Sequence, residues 1–498
     1  MSLTVLPQRD ALGVQTSRSF IDGAWRDGTG DQLWTHHHPS SGEAVTEFAV
    51  CSSADVDLAV RAARRAFDEG PWPRMAAKDR KLILQRMVDL VRRDTDDLHR
   101  LQALDNGMPV SFTSAYPVGA ALVADAFDHH AGWIDKLTGD TFPPYLGEET
   151  FAFSLREPVG VVAAVIPWNA PLMVFAQKVA PALAAGCTIV LKPSEYACLA
   201  VLRLTALLEE AGVPPGVFNL VLGPGDPTGE ALITHPGVDK ITFTGSRAVG
   251  SRILSASADR ITRVSLELGG KSPNLVFADA PDLDLAALTA FGMVSMGLSG
   301  QGCVCQTRAL VQQEIYDDFI VKASALAGMI RFGDPFDPAT TSGPIINPRQ
   351  LERVLGYIES GQEQGARLVL GGDRPDGDLA AGNFVNPALF ADVDNAMRIA
   401  QEEIFGPVLA VIPFRDEAEA IRIANDTTYG LGAGVQTSNL SRAVRVSRAL
   451  RSGTIGVNTY SVVPNVPFGG YKTSGLGREG GLAGIEEFTE LKSVTVGL

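Results

Sequence analysis

Short runs of β-branched and apolar residues punctuate the chain from about residue 160 onward. GVVAAVIPW, CTIVLKP, GVFNLVLG, KITFTG and RVSLELGG fall between residues 160 and 270. Helix-spaced segments of roughly a dozen residues separate them. Strands alternating with helices predict a parallel sheet of the dinucleotide-binding type over about 160–270. A second α/β run covers about 271–470, with LVFA, RLVLGG, FVNPALF, AVIPF and GTIGVN as strands, and LKSVTV in the tail as another. Ahead of these, Val56, Val60, Ala63 and Phe67 share one face of a helix that follows Ser53, with Asp55 and Asp57 in its first turn. A second periodic stretch from about Ala77 to Leu104 reads as helix. Residues 148–156, EETFAFSLR, put Phe151, Phe153 and Leu155 on one side of a strand.

The totals narrow the function classes. A chain of 498 residues predicts more than one domain. Its 45% apolar and 20% charged residues are ordinary for a folded soluble protein. The formal net charge of −15 argues against nucleic acid or an anionic membrane as a partner. The N-terminus lacks a basic stretch followed by an apolar run, so no signal peptide is expected. The most apolar segment, Val159 to Ala185, is interrupted by Pro167, Trp168, Asn169, Pro171, Gln177, Lys178 and Pro181 and is not a membrane span. The five cysteines do not make a disulfide framework, and the cytoplasm is the expected compartment. No metal site is expected. Cys303 and Cys305 have no second cysteine pair to complete a zinc site, and His36-His37-His38 reads as a solvated polar loop.

The candidate chemistry sits where strands end. The 160–270 run holds no G-x-G-x-x-G. Phe243-Thr244-Gly245-Ser246 ends a strand instead, and Arg247 to Ser257 continues as a helix whose N-terminus can hold a phosphate or simply make a turn. In SGQGCVCQTR (299–308), Cys303 is either a nucleophile or a structural thiol. Asn169, after IPW, either donates to an oxyanion or caps a turn. Glu267, before Gly269-Gly270, is a general base or a salt-bridge partner. In EEIFGP (402–407), Glu403 and Phe405 pair a carboxylate with an aromatic ring, which can equally be core.

Together these stretches resemble the NAD(P)-dependent aldehyde dehydrogenase superfamily over nearly the whole chain. PWNAP (167–171), LKPSE (191–195), FTGS (243–246), LELGGKSP (266–273), GQGC (300–303), EEIFGP (402–407) and PFGGYKTSGLGRE (467–479) occur in the family's order. The resemblance implies a cofactor domain (1–138 and 159–268), a catalytic domain (269–478) and a bridging segment (139–158 and 479–498), assembled as homodimers or homotetramers. It implies that Cys303 attacks the aldehyde, that the Asn169 amide and the Cys303 N–H hold the oxyanion, and that Glu267 activates water to hydrolyse the thioester left after hydride transfer to NAD. Lys178 and Glu479 match residues that assist proton traffic. Trp168 and Ser246 match pyrophosphate contacts, Lys192 and Glu195 the adenosine ribose, Glu403 the nicotinamide ribose, and Phe405 the nicotinamide end. Ile166, Gly245 and Leu268 fall in the same cofactor-binding stretches. The Glu195 carboxylate repels a 2′-phosphate, which favours NAD over NADP.

For the small-molecule aldehyde, the C-V-C pattern also resembles the succinate-semialdehyde branch, in which the second cysteine can bond the first. That branch holds its substrate's carboxylate with arginines at places where this chain has Gln177 and Gly297. Ala170 stands where an aromatic ring often follows P-W-N, so a wider channel is expected, kept apolar by Phe175 and Phe468. The expectation is a bulky, apolar or aromatic aldehyde. Succinate-semialdehyde oxidation and CoA acylation are the alternatives, and Glu267 argues against the latter.

Overall fold

The computed structural model describes all residues except 1, 2, 15, 116, 117, 146 and 148. An eight-stranded sheet runs in the order Gly475–Leu476, Arg263–Glu267, Lys240–Thr244, Val161–Val165, Thr188–Lys192, Phe218–Leu220, Ser19–Ile21, Ala24–Arg26. From Arg263–Glu267 across to Phe218–Leu220 every pairing is parallel. Both faces are buried. Val162 and Ala164 join one apolar cluster while Val161 and Ala163 join another, which is why these strands read as unbroken apolar runs.

The chain walks from Val161–Val165 outward in one direction and then returns to place Lys240–Thr244 on that strand's other side. This reversal of strand order opens a crevice at the carboxyl ends, the usual ligand position in such sheets.

A seven-stranded sheet holds Arg367–Leu370, Ala388–Ala391, Val408–Phe414, Arg308–Gln312, Pro273–Val276, Gly432–Gln436 and Thr454–Val457 in that order, parallel except at the first pair. Arg308–Gln312 and Gly432–Gln436 are strands that the sequence pattern did not single out. A three-stranded sheet joins Thr489–Gly497 to Thr150–Pro158 and Thr141–Phe142.

The helix Ser53–Asp68 forms as expected, with Ser52 and Asp55 making a reciprocal capping box. The helix Arg247–Ser257 follows Ser246 as its cap. The expected single helix over 77–104 is instead two, Ala77–Arg93 and Thr95–Asn106. Asp94 leaves helical geometry, and its carboxylate receives Arg203 Nε at 2.7 Å. The strand expected at 148–156 is Thr150–Pro158, and Glu148 lies outside the described residues.

The histidine run is not a solvated loop. His36 and His37 end the strand Leu33–His37, and His36 and His38 are buried. Their Nε2 atoms donate to the carbonyls of Asp105 and Ala103, and burial pushes both rings down to about 4. They are core histidines: both ring nitrogens of His38 are bonded, whereas His36 Nδ1 has no partner among the described residues. Among the described residues, no group of three or more His, Cys, Asp or Glu is placed to hold a metal ion, and no helix is long and apolar enough to cross a membrane.

Candidate active site

Four consecutive strand ends supply one side of the site. Ile166, Trp168, Asn169 and Ala170 follow Val161–Val165, and Ile166 N donates to Lys192 O at 3.1 Å. Lys192 closes Thr188–Lys192, and Glu195 lies just beyond it. Gly245 and Ser246 follow Lys240–Thr244, and Glu267 closes Arg263–Glu267. The amino ends of the second sheet supply the other side: Cys303 precedes Arg308–Gln312, and Glu403 and Phe405 precede Val408–Phe414.

Gly269 and Gly270 let the two sides meet. A Cβ on Gly269 would lie 2.0 Å from a Glu403 carboxylate oxygen, and one on Gly270 would lie 2.5 Å from the Cys303 carbonyl. Gly270 N donates to Glu403 Oε1 at 3.2 Å. Glu267 is held in place by neighbouring backbone. It pairs with Gly475 on the edge strand, its carbonyl accepts from Gly245 N at 3.0 Å, and Leu268 N donates to Ser474 O at 2.9 Å.

Cys303 is partly exposed in a turn. Its thiol is pushed well above the ordinary range, first by burial of the sulfur, then by the carboxyls of Glu403 and Glu267 and by Cys305. Glu267 is buried, and its Oε2 has no hydrogen-bond partner among the described residues. Burial raises its carboxyl well above the carboxylate range. Glu479 adds to the rise, while Lys178 and Arg478 oppose it. Lys178 Nζ donates to Glu479 Oε1 at 2.6 Å and to Thr242 Oγ1 at 3.0 Å, and all three side chains are buried or nearly so. Asn169 Nδ2 donates to Gln301 O at 2.9 Å. That uses one of the two amide hydrogens and leaves the other for a ligand.

Cys305 is buried in the apolar cluster with Phe291 and Val294, its Sγ donating to Met293 O at 3.5 Å, and burial pushes its thiol up to about 12. It packs as a compact hydrophobe.

On the nucleotide side, the helix Arg247–Ser257 opens on exposed residues, with Ser246 Oγ accepting from Val249 N at 3.4 Å. Lys192 is buried, its Nζ donating to the carbonyls of Pro193 and Gly223 at 2.8 Å each and standing 3.7 Å from Glu195. Burial lowers its ammonium, and the Glu195 carboxylate opposes that. Burial pushes the Glu403 carboxyl up to about 7, against the Gly270 N–H and the cations Arg353 and Lys271. Phe405 sits at a φ of 61°, edge-on to Trp168 with ring centroids 5.5 Å apart. Gln350 Nε2 donates to the carbonyls of Ile404 and Phe405 at 2.9 Å each and so fixes that backbone.

A narrow recess next to the site is lined by Gln177 and Phe468, both expected there, and by Leu122, Ala126, His130 and Val462; among the described residues no lysine, arginine, aspartate or glutamate lines it. Phe175 is not in it. Its ring is fully buried and packs on Phe218 with centroids 5.9 Å apart. Residues two apart on a helix face different ways, so the turn that aims Gln177 at the recess sends Phe175 into the core. Ala170 is buried at the head of the helix Pro171–Ala185. Gly297 has a φ of 64°, and the Phe112 ring comes within 2.7 Å of where a Cβ would be, so that ring fills the space a side chain there would take.

Two other residues of the site were given no role by the sequence pattern. Asn106 Nδ2 ties down the carbonyls of Trp168 and Asn169. Tyr460 places a buried hydroxyl, without a partner among the described residues, near Cys303, Cys305 and Glu267; burial raises it first, and their charges add to that. Each belongs to a segment distant in sequence from the groups it serves.

Comparison with known proteins agrees with this architecture. The aldehyde dehydrogenase family model matches residues 25–494. An aldehyde dehydrogenase 1 of Tanacetum cinerariifolium is 44% identical over 487 residues, covering 97% of this chain and 96% of its own. A crystal structure of Staphylococcus aureus betaine aldehyde dehydrogenase in complex with NAD+ superposes with a TM-score of 0.95 at 35% identity, covering 99% of this chain and 97% of that one. An indole-3-acetaldehyde dehydrogenase of P. syringae, a variant in complex with NAD+ and IAA, gives 0.94 at 40% identity, covering 99% of each chain. The chain belongs to the aldehyde dehydrogenase family.

Proposed function

We propose that this enzyme is an NAD-dependent aldehyde dehydrogenase that turns bulky, uncharged aldehydes, aromatic ones among them, into carboxylic acids. The observation that carries the chemistry is one convergence. A partly exposed cysteine, a buried carboxyl with a free oxygen and an asparagine amide meet where the carboxyl ends of a parallel sheet face a second sheet.

The residues fit a dinucleotide. The open N-terminus of the helix Arg247–Ser257, with Ser246, suits a pyrophosphate. The Glu195 carboxylate beside Lys192 suits a ribose hydroxyl, Glu403 suits the second ribose, and Phe405, with the Trp168 ring edge-on to it, suits the nicotinamide end. NAD supplies the hydride acceptor when bound.

The Cys303 thiolate, whose share grows with pH, adds to the aldehyde carbon. The second Asn169 N–H and the Cys303 backbone N–H stabilise the oxyanion. After hydride loss the acyl group is a thioester on Cys303. Glu267 Oε2 takes a proton from water as that water attacks the thioester. The acid leaves, and the thiol is restored.

The uncharged recess argues against a carboxylate-bearing substrate such as succinate semialdehyde, which needs a cationic partner when desolvated. The relative acting on an indole aldehyde is in keeping with an aromatic substrate. The test is NADH formation across a panel of aldehydes. Aromatic and bulky aliphatic aldehydes should exceed succinate semialdehyde in kcat/KM. Succinate semialdehyde at the top would overturn the substrate reading, a requirement for CoA would overturn hydrolysis, and no NADH from any aldehyde would overturn the activity.

Two further outcomes are expected. NAD should be used better than NADP, and Glu195→Gln should narrow that gap by about tenfold, because a carboxylate repels a 2′-phosphate. Steady-state kinetics with both cofactors measures it. The acid limb of the pH–rate profile should move in opposite directions in two variants. Lys178→Met removes a cation that favours ionised Glu267, so the limb moves to higher pH. Glu479→Gln removes a carboxylate that disfavours it, so the limb moves to lower pH.

The segments 1–138 with 159–268, 269–478, and 139–158 with 479–498 are read as cofactor, catalytic and bridging units. In the bridging sheet Phe151, Phe153 and Leu155 share a face with Val494 and Val496, and Phe151, Leu155 and Val496 are exposed. This face suits a homodimer or homotetramer contact. The free cysteines at positions 51, 187, 198, 303 and 305 suit a reducing cytoplasm.

A further inference from the structure

We propose that His130 reads the far end of the substrate: its Nε2 accepts a hydrogen bond from a hydroxyl on the aldehyde, which selects hydroxylated aromatic aldehydes over their O-methyl ethers. The inference rests on the aldehyde oxidation proposed above and goes further by naming the recognised group.

Leu122, Ala126 and His130 lie at i, i+4 and i+8 on the helix Ala120–Ala131 and so form one stripe. That stripe walls the recess, opposite Gln177, Val462 and Phe468. Val462 belongs to the stretch that begins at Tyr460, whose hydroxyl is close enough to Cys303 to feel its charge, so one wall of the recess continues to the neighbourhood of the nucleophile.

The tautomer of His130 follows from geometry. Its Nδ1 lies 2.7 Å from Ala126 O. A carbonyl only accepts, so Nδ1 carries the hydrogen and Nε2 carries a lone pair. The residue is 1% exposed, and Nε2 has no partner among the described residues. The ring stays neutral at ordinary pH, because burial pushes it down to about 4 and His129 adds to that. The ring cannot turn without losing its bond to Ala126 O, and the His129 ring packs edge-on at 5.1 Å.

The recess, about 10 Å³ in volume, has room beside His130 for a group the size of a hydroxyl, among mostly apolar walls. The Gln177 amide can donate or accept, so alone it does not discriminate between a hydroxyl and an ether. A buried acceptor left without a donor is costly, and a substrate hydroxyl relieves that cost where a methoxy group does not.

The test compares kcat/KM for the para-hydroxy and para-methoxy forms of benzaldehyde and of cinnamaldehyde, two lengths that place the substituent at different depths. Hydroxyl and methoxy groups push electrons into the ring to a similar degree, so at a mildly acidic pH that keeps the para-hydroxyl protonated the carbonyls are nearly matched in reactivity. Wild-type enzyme should prefer the hydroxy form by about tenfold in at least one series. His130→Leu should bring that ratio close to one, and His130→Gln, which keeps an acceptor, should retain part of it. A wild-type ratio within about twofold of one in both series overturns the proposal, and this needs no variant to fold. An unchanged ratio in His130→Leu overturns it too, and means that Nε2 serves only an internal water. NADH formation without any hydroxyl preference leaves the aldehyde oxidation standing and removes only the role of His130, whereas no NADH from any aldehyde overturns both.

Discussion

Cys303→Ala abolishes aldehyde oxidation, lowering the rate by on the order of 10⁴ or more, while Cys305→Ser keeps most of it. The two thiols stand two positions apart, yet their surroundings differ. Cys303 is partly exposed and is placed by Gly270, whose missing side chain lets the Cys303 carbonyl come close. Cys305 points into the cluster of Phe291 and Val294 and donates to a main-chain carbonyl. Removing the first deletes the atom that bonds to carbon. Removing the second exchanges one small buried side chain for another. Steady-state NADH formation in the two variants measures the difference. An active Cys303→Ala enzyme with a dead Cys305→Ser one would reverse the assignment.

Glu267→Gln should separate the two halves of the reaction. Adding the thiolate to an aldehyde and losing hydride require no base at water. Hydrolysing the thioester does, and the unpartnered Glu267 Oε2 is the atom positioned to serve. A rapid pre-steady-state burst of NADH should persist in the variant, followed by turnover slowed by about 10²–10⁴-fold. Rapid-mixing absorbance reads both phases in one trace. A full steady-state rate would remove Glu267 from the mechanism, and loss of the burst would move its role to an earlier step.

Much of the site was legible because its residues sit at strand ends, and strand ends are local signals. The apolar runs that close at Lys192, Thr244 and Glu267 mark the positions at or just beyond which Glu195, Ser246 and Glu267 project. The glycines of LELGGKSP announced a close approach, and the Glu403 carboxylate and the Cys303 carbonyl are what approach. Where local pattern misled, a long-range contact was responsible. The helix expected over 77–104 breaks at Asp94, which binds Arg203 from another helix. His36-His37-His38 looked polar, but carbonyls of Ala103 and Asp105 each take one ring nitrogen of His38 and His36 inside the protein.

The sequence by itself determined the alternation of strands and helices, the residue types able to act as nucleophile, base and amide donor, and their places along the chain, because each depends on spacing within one segment. The tertiary structure alone decided which of those groups meet and what surrounds them. It sent Phe175 to Phe218 and Gln177 to the recess, filled the space beside Gly297 with Phe112, and fixed the His130 lone pair through Ala126. The physical reason is that burial, charge and hydrogen bonding at an atom are set by its neighbours in space. Those neighbours, such as Glu479 against Lys178 across 301 residues, come from segments whose pairing no local pattern encodes.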